Sequence, residues 1–283
     1  MLELFPGSFA ETCPSLRDVP LNYGHARAVV ERAAPGRIWV DSRSYAKAAH
    51  ALHSYGMSLV WGTDLSGAFE PLIEHLRSGT YRAKDEWLQI DPRWAHLDWN
   101  RRLGAEPGGL VPGGPRAQRY TRANFRFDEA VFLDRHSHTS LRNGWTARPM
   151  TEKEFDLPGV GVTPRAFWRD AVQFLANGGG LCAEKDGEVG AIAFSSFRFD
   201  NILEIGIETR SQFRGQGLAL ATAAALIHKC LADGLEPVWS CRKENTASFQ
   251  LAQRLGFSVT REIPYYRLPA PPTTSAIDKN RRS

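Results

Sequence analysis

Along residues 203–234 the hydrophobic period changes once. Apolar residues alternate at Leu203, Ile205 and Ile207, as in a strand with one buried face. After a polar turn they run on as LALATAAALIHKCLADG, the pattern of a long helix. A short apolar run at 236–241 predicts the next strand. Residues 245–256 predict a helix capped by Asn245 or Thr246, with Ser248, Leu251, Ala252 and Leu255 on one face and Gly256 as its left-handed stop.

The same reading extends upstream as an α/β rhythm. It predicts strands at 37–41, 58–62 and 87–90 and helices at 45–54, 67–77 and 91–102, the last with Pro92 in its first turn. Residues 104–115 (GAEPGGLVPGG and its neighbours) read as a long loop, 120–127 as an edge strand and 128–136 as a closing helix. A domain boundary is expected near Leu141-Arg-Asn-Gly144. Beyond it come a strand at 145–150, a helix at 164–177 stopped by the glycines at 178–180, and a hairpin of 181–185 with 188–197. Asp186-Gly187 is a type I′ turn signal for that hairpin. Residues past Leu268 have the composition of a disordered tail.

With 283 residues, two domains are expected, each able to bury a core. The formal charge of +4 is small, and the arginines are scattered, so neither a nucleic-acid nor a membrane surface is expected. Cys13, Cys182, Cys230 and Cys241 show no paired spacing and read as reduced thiols. The first residues lack a basic stretch followed by an apolar core. Together these predict a soluble, cytoplasmic protein. His136 and His138, like His50 and His53, are read as solvated rather than as metal ligands, since no Cys or carboxylate cluster completes a site.

The candidate chemistry lies in Arg214-Gly215-Gln216-Gly217-Leu218-Ala219, where two glycines stand at a helix start. The first-turn N–H groups of a helix have no internal partner, and the positive end of its dipole favours an anion. The P-loop GxxxxGK[ST] and the dinucleotide fingerprint GxGxxG are absent. The pattern R-x-x-G-x-A resembles the pyrophosphate loop of the GCN5-related N-acetyltransferases (GNAT). Asn245 followed by a short helix ending in Leu255-Gly256-Phe257 resembles that family's second block. Gly-Leu-Ala after the arginine, Cys230-Leu231 and Pro237-x-Trp239 look most like its zwittermicin-resistance type. The resemblance covers residues 145–268 and is faint before them.

The resemblance implies a mixed central sheet flanked by helices over 144–268, after an N-terminal α/β domain (1–143) that is a candidate degenerate copy; 269–283 would be the tail. It implies transfer of an acetyl group from acetyl-CoA to a primary amine of a small molecule, by direct attack in a ternary complex and without a metal. A homodimer is left as a candidate assembly. The co-substrate would be held by Ile207 and Thr209 of the central strand, by Arg214, Gly215, Gln216, Gly217, Leu218 and Ala219, and by Asn245 and Ser248. Gly206 fits a strand approached closely by other atoms. Glu204 is the first choice of general base and Glu208 the second, both on the face of Gly206. Ala252 occupies the family's usual tyrosine position, so the thiolate would be protonated by Ser248, Cys241, Tyr265 or water, or would leave unaided. The alternative is a non-catalytic acyl-CoA-binding module or sensor.

Overall fold

The computed structural model describes residues 1–105, 117–137 and 140–271. Most of the glycine- and proline-rich stretch at 104–115, His138 and the tail beyond 271 lie outside the described residues. The chain forms two compact units, one from Met1–Arg32, Gly36–Tyr120 and the residues from Pro264 onward, the other from Ala33–Pro35 and Thr121–Ile263.

The first unit opens with β1 (Leu2–Glu3), α1 (Phe9–Thr12), α2 (Gly24–Val30) and β2 (Gly36–Val40). It continues through β3 (Ala48–His53), β4 (Met57–Gly62), α3 (Leu65–Ser78), β5 (Glu86–Ile90) and α4 (Trp99–Leu103). Strands β1 to β4 pair antiparallel in order, β4 and β5 pair parallel, and residues 265–268 close the sheet against β5. One face packs on Phe9, Val29 and Trp61, the other on Leu72, Leu76 and Trp99.

The helix expected at 45–54 is strand β3 instead. Its alanines fit between β2 and β4, where Ala51 faces both Ile38 and Leu59, and tertiary pairing overrides a helix-forming composition. The helix expected at 91–102 is a 3₁₀ turn, Pro92–Trp94, followed by the short α4.

His50 and His53 are buried, not solvated. His50 Nε2 lies 2.8 Å from Glu86 Oε1, which also accepts from Ser58 Oγ at 2.6 Å. Glu86 Oε2 accepts from Tyr81 OH at 2.7 Å and Arg82 Nη1 at 3.2 Å. Burial raises the Glu86 carboxyl, but His50 and Arg82 outweigh it and hold it at about 2. Burial, with His50 beside it, pushes His75 down to about 3.

The second unit carries β6 (Gln118–Phe127, from Thr121), α5 (Glu129–His136), β7 (Thr146–Pro149), α6 (Ala171–Asn177), β8 (Gly180–Lys185) and β9 (Glu188–Phe199). After these come β10 (Ile202–Thr209), α7 (Leu218–Ala232), β11 (Glu236–Val238), β12 (Ser240–Arg242), α8 (Thr246–Arg254) and β13 (Phe257–Leu268, to Ile263). Its main sheet runs β11-β10-β9-β8-β7, mixed because β10–β11 is parallel while the other pairs are antiparallel.

The division falls at 120/121, not at the expected 143/144. Strand β6 pairs with β12 (Ala123↔Cys241), and Phe132 of α5 shares a core with Phe257, Ile227 and Leu255. The helix expected at 164–177 is only α6. Trp168 breaks it by donating from Nε1 to the Ser195 carbonyl at 2.7 Å, and Asp170 starts α6 by accepting from the Gln173 N–H at 2.7 Å.

Candidate active site

Strand β10 bonds to β9 along its whole length but to β11 only over Ile202↔Glu236, Leu203↔Pro237 and Glu204↔Val238. The run expected as one strand at 236–241 is broken at buried Trp239, and β12 turns to pair with β6. From Ile205 onward one edge of β10 therefore faces a fork. The Arg210 N–H donates to the Gly190 carbonyl on the β9 side at 2.9 Å. Because backbone direction alternates along a strand, the amides and carbonyls of Ile207 and Thr209 point into the fork. Thr209 Oγ1, shielded from solvent, makes no hydrogen bond.

At the end of β10 the chain passes through a 3₁₀ turn and reaches Gly215 and Gly217, both at φ +78°. A Cβ at either would meet no atom within 4 Å, so left-handed conformation, not crowding, favours glycine here. Gly217 precedes α7, whose N-terminus has no side-chain cap. Its first N–H groups are thus left for an anion. A cleft of about 750 Å³ joins these parts, lined by Ile207, Glu208, Thr209, Arg214, Gly215, Gly217, Leu218, Ala219, Asn245 and Ser248. An anion over the glycine turn and an extended chain along the free edge of β10 both fit it. Gln216 lines a neighbouring hollow instead.

Glu204 is not among the cleft-lining residues. It sits at the apex of the fork, 8% exposed, accepting from Ser240 Oγ at 3.0 Å with Arg122 Nη2 3.5 Å away. Burial raises its carboxyl, opposed by Arg122 and Ser240. Glu208 does line the cleft. Burial raises its carboxyl too, against the backbone N–H groups of Gly161 and Val162 that donate to it and the charge of Arg214. Of the two glutamates, the second choice, Glu208, is thus the one that meets the cleft. Gly206 answers to packing, since a Cβ there would lie 2.6 Å from the Phe194 ring.

Asn245 caps α8, its Oδ1 accepting from the Ser248 N–H at 3.3 Å. Ser248 Oγ accepts from Trp239 Nε1 at 3.2 Å, and its hydroxyl also hydrogen-bonds the Cys241 side chain. Ala252 is fully buried in the core, one position from Leu251, which faces the cleft. Tyr265 donates to Met57 Sδ at 3.0 Å in the first unit, so it is a packing residue. Cys241 is buried, and burial pushes its thiol up.

Ala247, Gln250, Leu251 and Arg254 also line the cleft. Sequence reading missed them, although their spacing from one another is that of one helix face. Gly161 and Val162, which meet Glu208 from a distant loop, left no local signal. His136, expected to be solvated, is buried, with Nε2 2.7 Å from the Arg254 carbonyl. Among the described residues no group of three or more His, Cys, Asp or Glu could hold a metal.

The family model for GNAT acetyltransferases matches residues 114–266. The chain belongs to this family. A GNAT-like protein of Streptococcus suis superposes with a TM-score of 0.64 at 22% identity, over 89% of this chain and 95% of its own. A tandem GNAT protein from the clavulanic acid biosynthesis pathway superposes at 0.58 and 13% identity, over 93% of this chain and 92% of its own. At such identities these likenesses speak for the GNAT fold, and the second extends it to the first unit. YdfB, an uncharacterized N-acetyltransferase of Bacillus subtilis, is 33% identical over 100 residues, 35% of this chain and 38% of YdfB. The match thus spans well under half of that relative. None of the described helices is long and apolar enough to cross a membrane.

Proposed function

We propose that the second unit moves an acetyl group from acetyl-CoA to a primary amine of a small molecule by direct attack in a ternary complex. The carrying observation is that one cleft joins the free edge of β10, the uncapped glycine turn before α7 and the carboxylate of Glu208. Bound acetyl-CoA supplies an activated thioester. The N–H groups of Leu218 and Ala219, with Arg214 beside them, hold a diphosphate. The edge groups of Ile207 and Thr209 pair with an extended amide chain, and an N–H there polarises a carbonyl oxygen, worth roughly 2.7–4 kcal/mol when well aimed.

Glu208 takes the amine proton, directly or through one water, and its raised carboxyl value suits that task. Ser248, oriented by Trp239, donates a hydrogen bond to the departing thiolate, which takes its proton from water. The likeness to the zwittermicin-resistance type supports an amine-bearing antibiotic or metabolite as acceptor. The four cysteines are free, in keeping with a reducing compartment such as the cytoplasm. A homodimer remains our proposal for the assembly.

Calorimetry with acetyl-CoA, followed by thiol release with a panel of amines, tests the reading. Binding with amine-dependent thiol release is expected. Binding without turnover on any amine would leave a non-catalytic acyl-CoA sensor, and absence of binding would remove both.

A further inference from the structure

A second hollow of about 640 Å³ opens on the other side of the glycine turn, sharing Gly217, Leu218, Leu220 and Arg254 with the cleft. It is a basic place. Arg135, Arg142 and Arg254 line it against a single carboxylate, Asp134. Among the described residues neither Arg142 nor Arg254 has a carboxylate within ion-pair distance, unlike Arg148, Arg165 and Arg169 of the same unit.

Arg254 is also placed with care. At the end of α8 the free carbonyls are taken up from α5, where His136 Nε2 meets the Arg254 carbonyl at 2.7 Å and Arg135 Nη1 donates to the Gln253 carbonyl at 3.2 Å. His136 is itself tied down through its carbonyl, 3.0 Å from His228 Nε2. These contacts fix the backbone from which the Arg254 side chain reaches the wall common to both cavities.

Coenzyme A is a diphosphate with a pantetheine arm on one side and an adenosine 3′-phosphate on the other. If its diphosphate lies on the glycine turn and its arm runs along β10, its nucleotide end leaves the turn away from β10, where the arginine-lined hollow lies. We propose that this hollow holds the 3′-phosphate of coenzyme A through the guanidiniums of Arg142 and Arg254. The proposal rests on the coenzyme reading above. Guanidinium is suited to the task because its planar fork donates two parallel bonds to phosphate oxygens. The site then discriminates coenzyme A from its 3′-dephospho form, the only difference between them being that phosphate.

The test is calorimetric titration of the full chain with coenzyme A and with 3′-dephospho-coenzyme A. Wild type should prefer coenzyme A by roughly ten- to a hundredfold, the worth of one or two charge-assisted hydrogen bonds. Arg142→Gln should shrink that preference while leaving the affinity for the dephospho form unchanged. Arg142→Glu should weaken coenzyme A further still. Both replace an exposed side chain, so folding is not at stake. Arg254→Gln should shrink the preference too, with some loss for both nucleotides because Arg254 also lines the thioester cleft. Equal affinity of wild type for the two nucleotides overturns this inference alone, and so does a preference that survives in both Arg142 variants. Failure to bind either nucleotide overturns the coenzyme reading itself.

Discussion

Each unit contains a parallel strand–helix–strand crossover, β4–α3–β5 in the first and β10–α7–β11 in the second, and the two treat their helix starts in opposite ways. In the first, the turn is short and Asp64 caps α3, its Oδ1 accepting from the Gly67 N–H at 3.2 Å. A carboxylate therefore stands where an anionic ligand would have to be. Gly62, at the end of β4, is there because a Cβ would run into the Lys47 carbonyl. Strands β4 and β5 pair over four residues, and Asp91 N–H extends the ladder to the Val60 carbonyl at 2.9 Å. In the second unit the helix is uncapped, the glycines are open, and the strands part after three pairs. Topology alone thus leaves no open anion position at the helix start. A longer glycine turn and an early parting of the strands leave one, which we propose holds the coenzyme.

The sharpest way to break the contrast is to give the second unit the first unit's acid. In Gly217→Asp a carboxylate would occupy the phosphate position, where like-charge contact costs several kcal/mol, so coenzyme affinity should fall by roughly a hundredfold or more. Left-handed backbone at a residue with a Cβ costs of order 1 kcal/mol, so the unfolding temperature should drop only modestly. Calorimetry beside a thermal melt reads both. Wild-type affinity in this variant would refute the loop assignment.

Glu208→Gln should preserve acetyl-CoA affinity and lower kcat by roughly 10²–10⁴. The deficit should narrow as pH rises, because more of the amine is then already unprotonated. Glu204→Gln is the control. It removes the acid beside Arg122 and should cost stability, leaving the shape of the pH profile unchanged. Should the pH-dependent loss follow Glu204 instead, the base is the apex residue and the order inferred from the cleft is wrong.

The first unit responds to acid through its buried polar cluster. His75 titrates near 3 in the fold against about 6.5 in the unfolded chain. Stability from its neutral form is complete above the unfolded value and is lost as pH falls from there toward 3. Glu86 titrates at about 2, so its contribution is present above the unfolded carboxylate value and fades as pH falls through 2. Chemical denaturation from pH 7 to pH 3 should show falling stability, and His75→Gln should flatten the upper part of that fall. A slope unaltered in the variant would assign it to other groups. The smallest effect is expected of Asn245→Ala, which should cost about 1 kcal/mol of stability through the lost cap and raise the acetyl-CoA KM. Unchanged kinetics would leave Asn245 a cap alone.

Both crossovers could be read in the sequence in part, and unequally. The second combines an alternating strand, an uninterrupted apolar helix and a glycine turn, three local signals that agree. In the first, the strands at 58–62 and 87–90 and the helix between are legible, but the neighbouring β3 has the composition of a helix. A run such as Ala48-Ala-His-Ala-Leu-His53 carries no period of its own.

What the sequence determined by itself is what depends on near neighbours along the chain. This covers the strand–turn–helix of 203–232, a cap at Asn245 or Thr246, the stop at Gly256, and the glycines that only a left-handed turn explains. What the tertiary structure decided depends on partners far away in sequence. The parting of β10 from β11 follows from β12 pairing with β6, more than a hundred residues upstream. Glu204 and Glu208 share a strand face and look interchangeable in the sequence. Arg122 and Ser240 enclose one of them, while Gly161 and Val162 hold the other at the cleft, and burial and charge fix a carboxylate's role only once such neighbours have arrived.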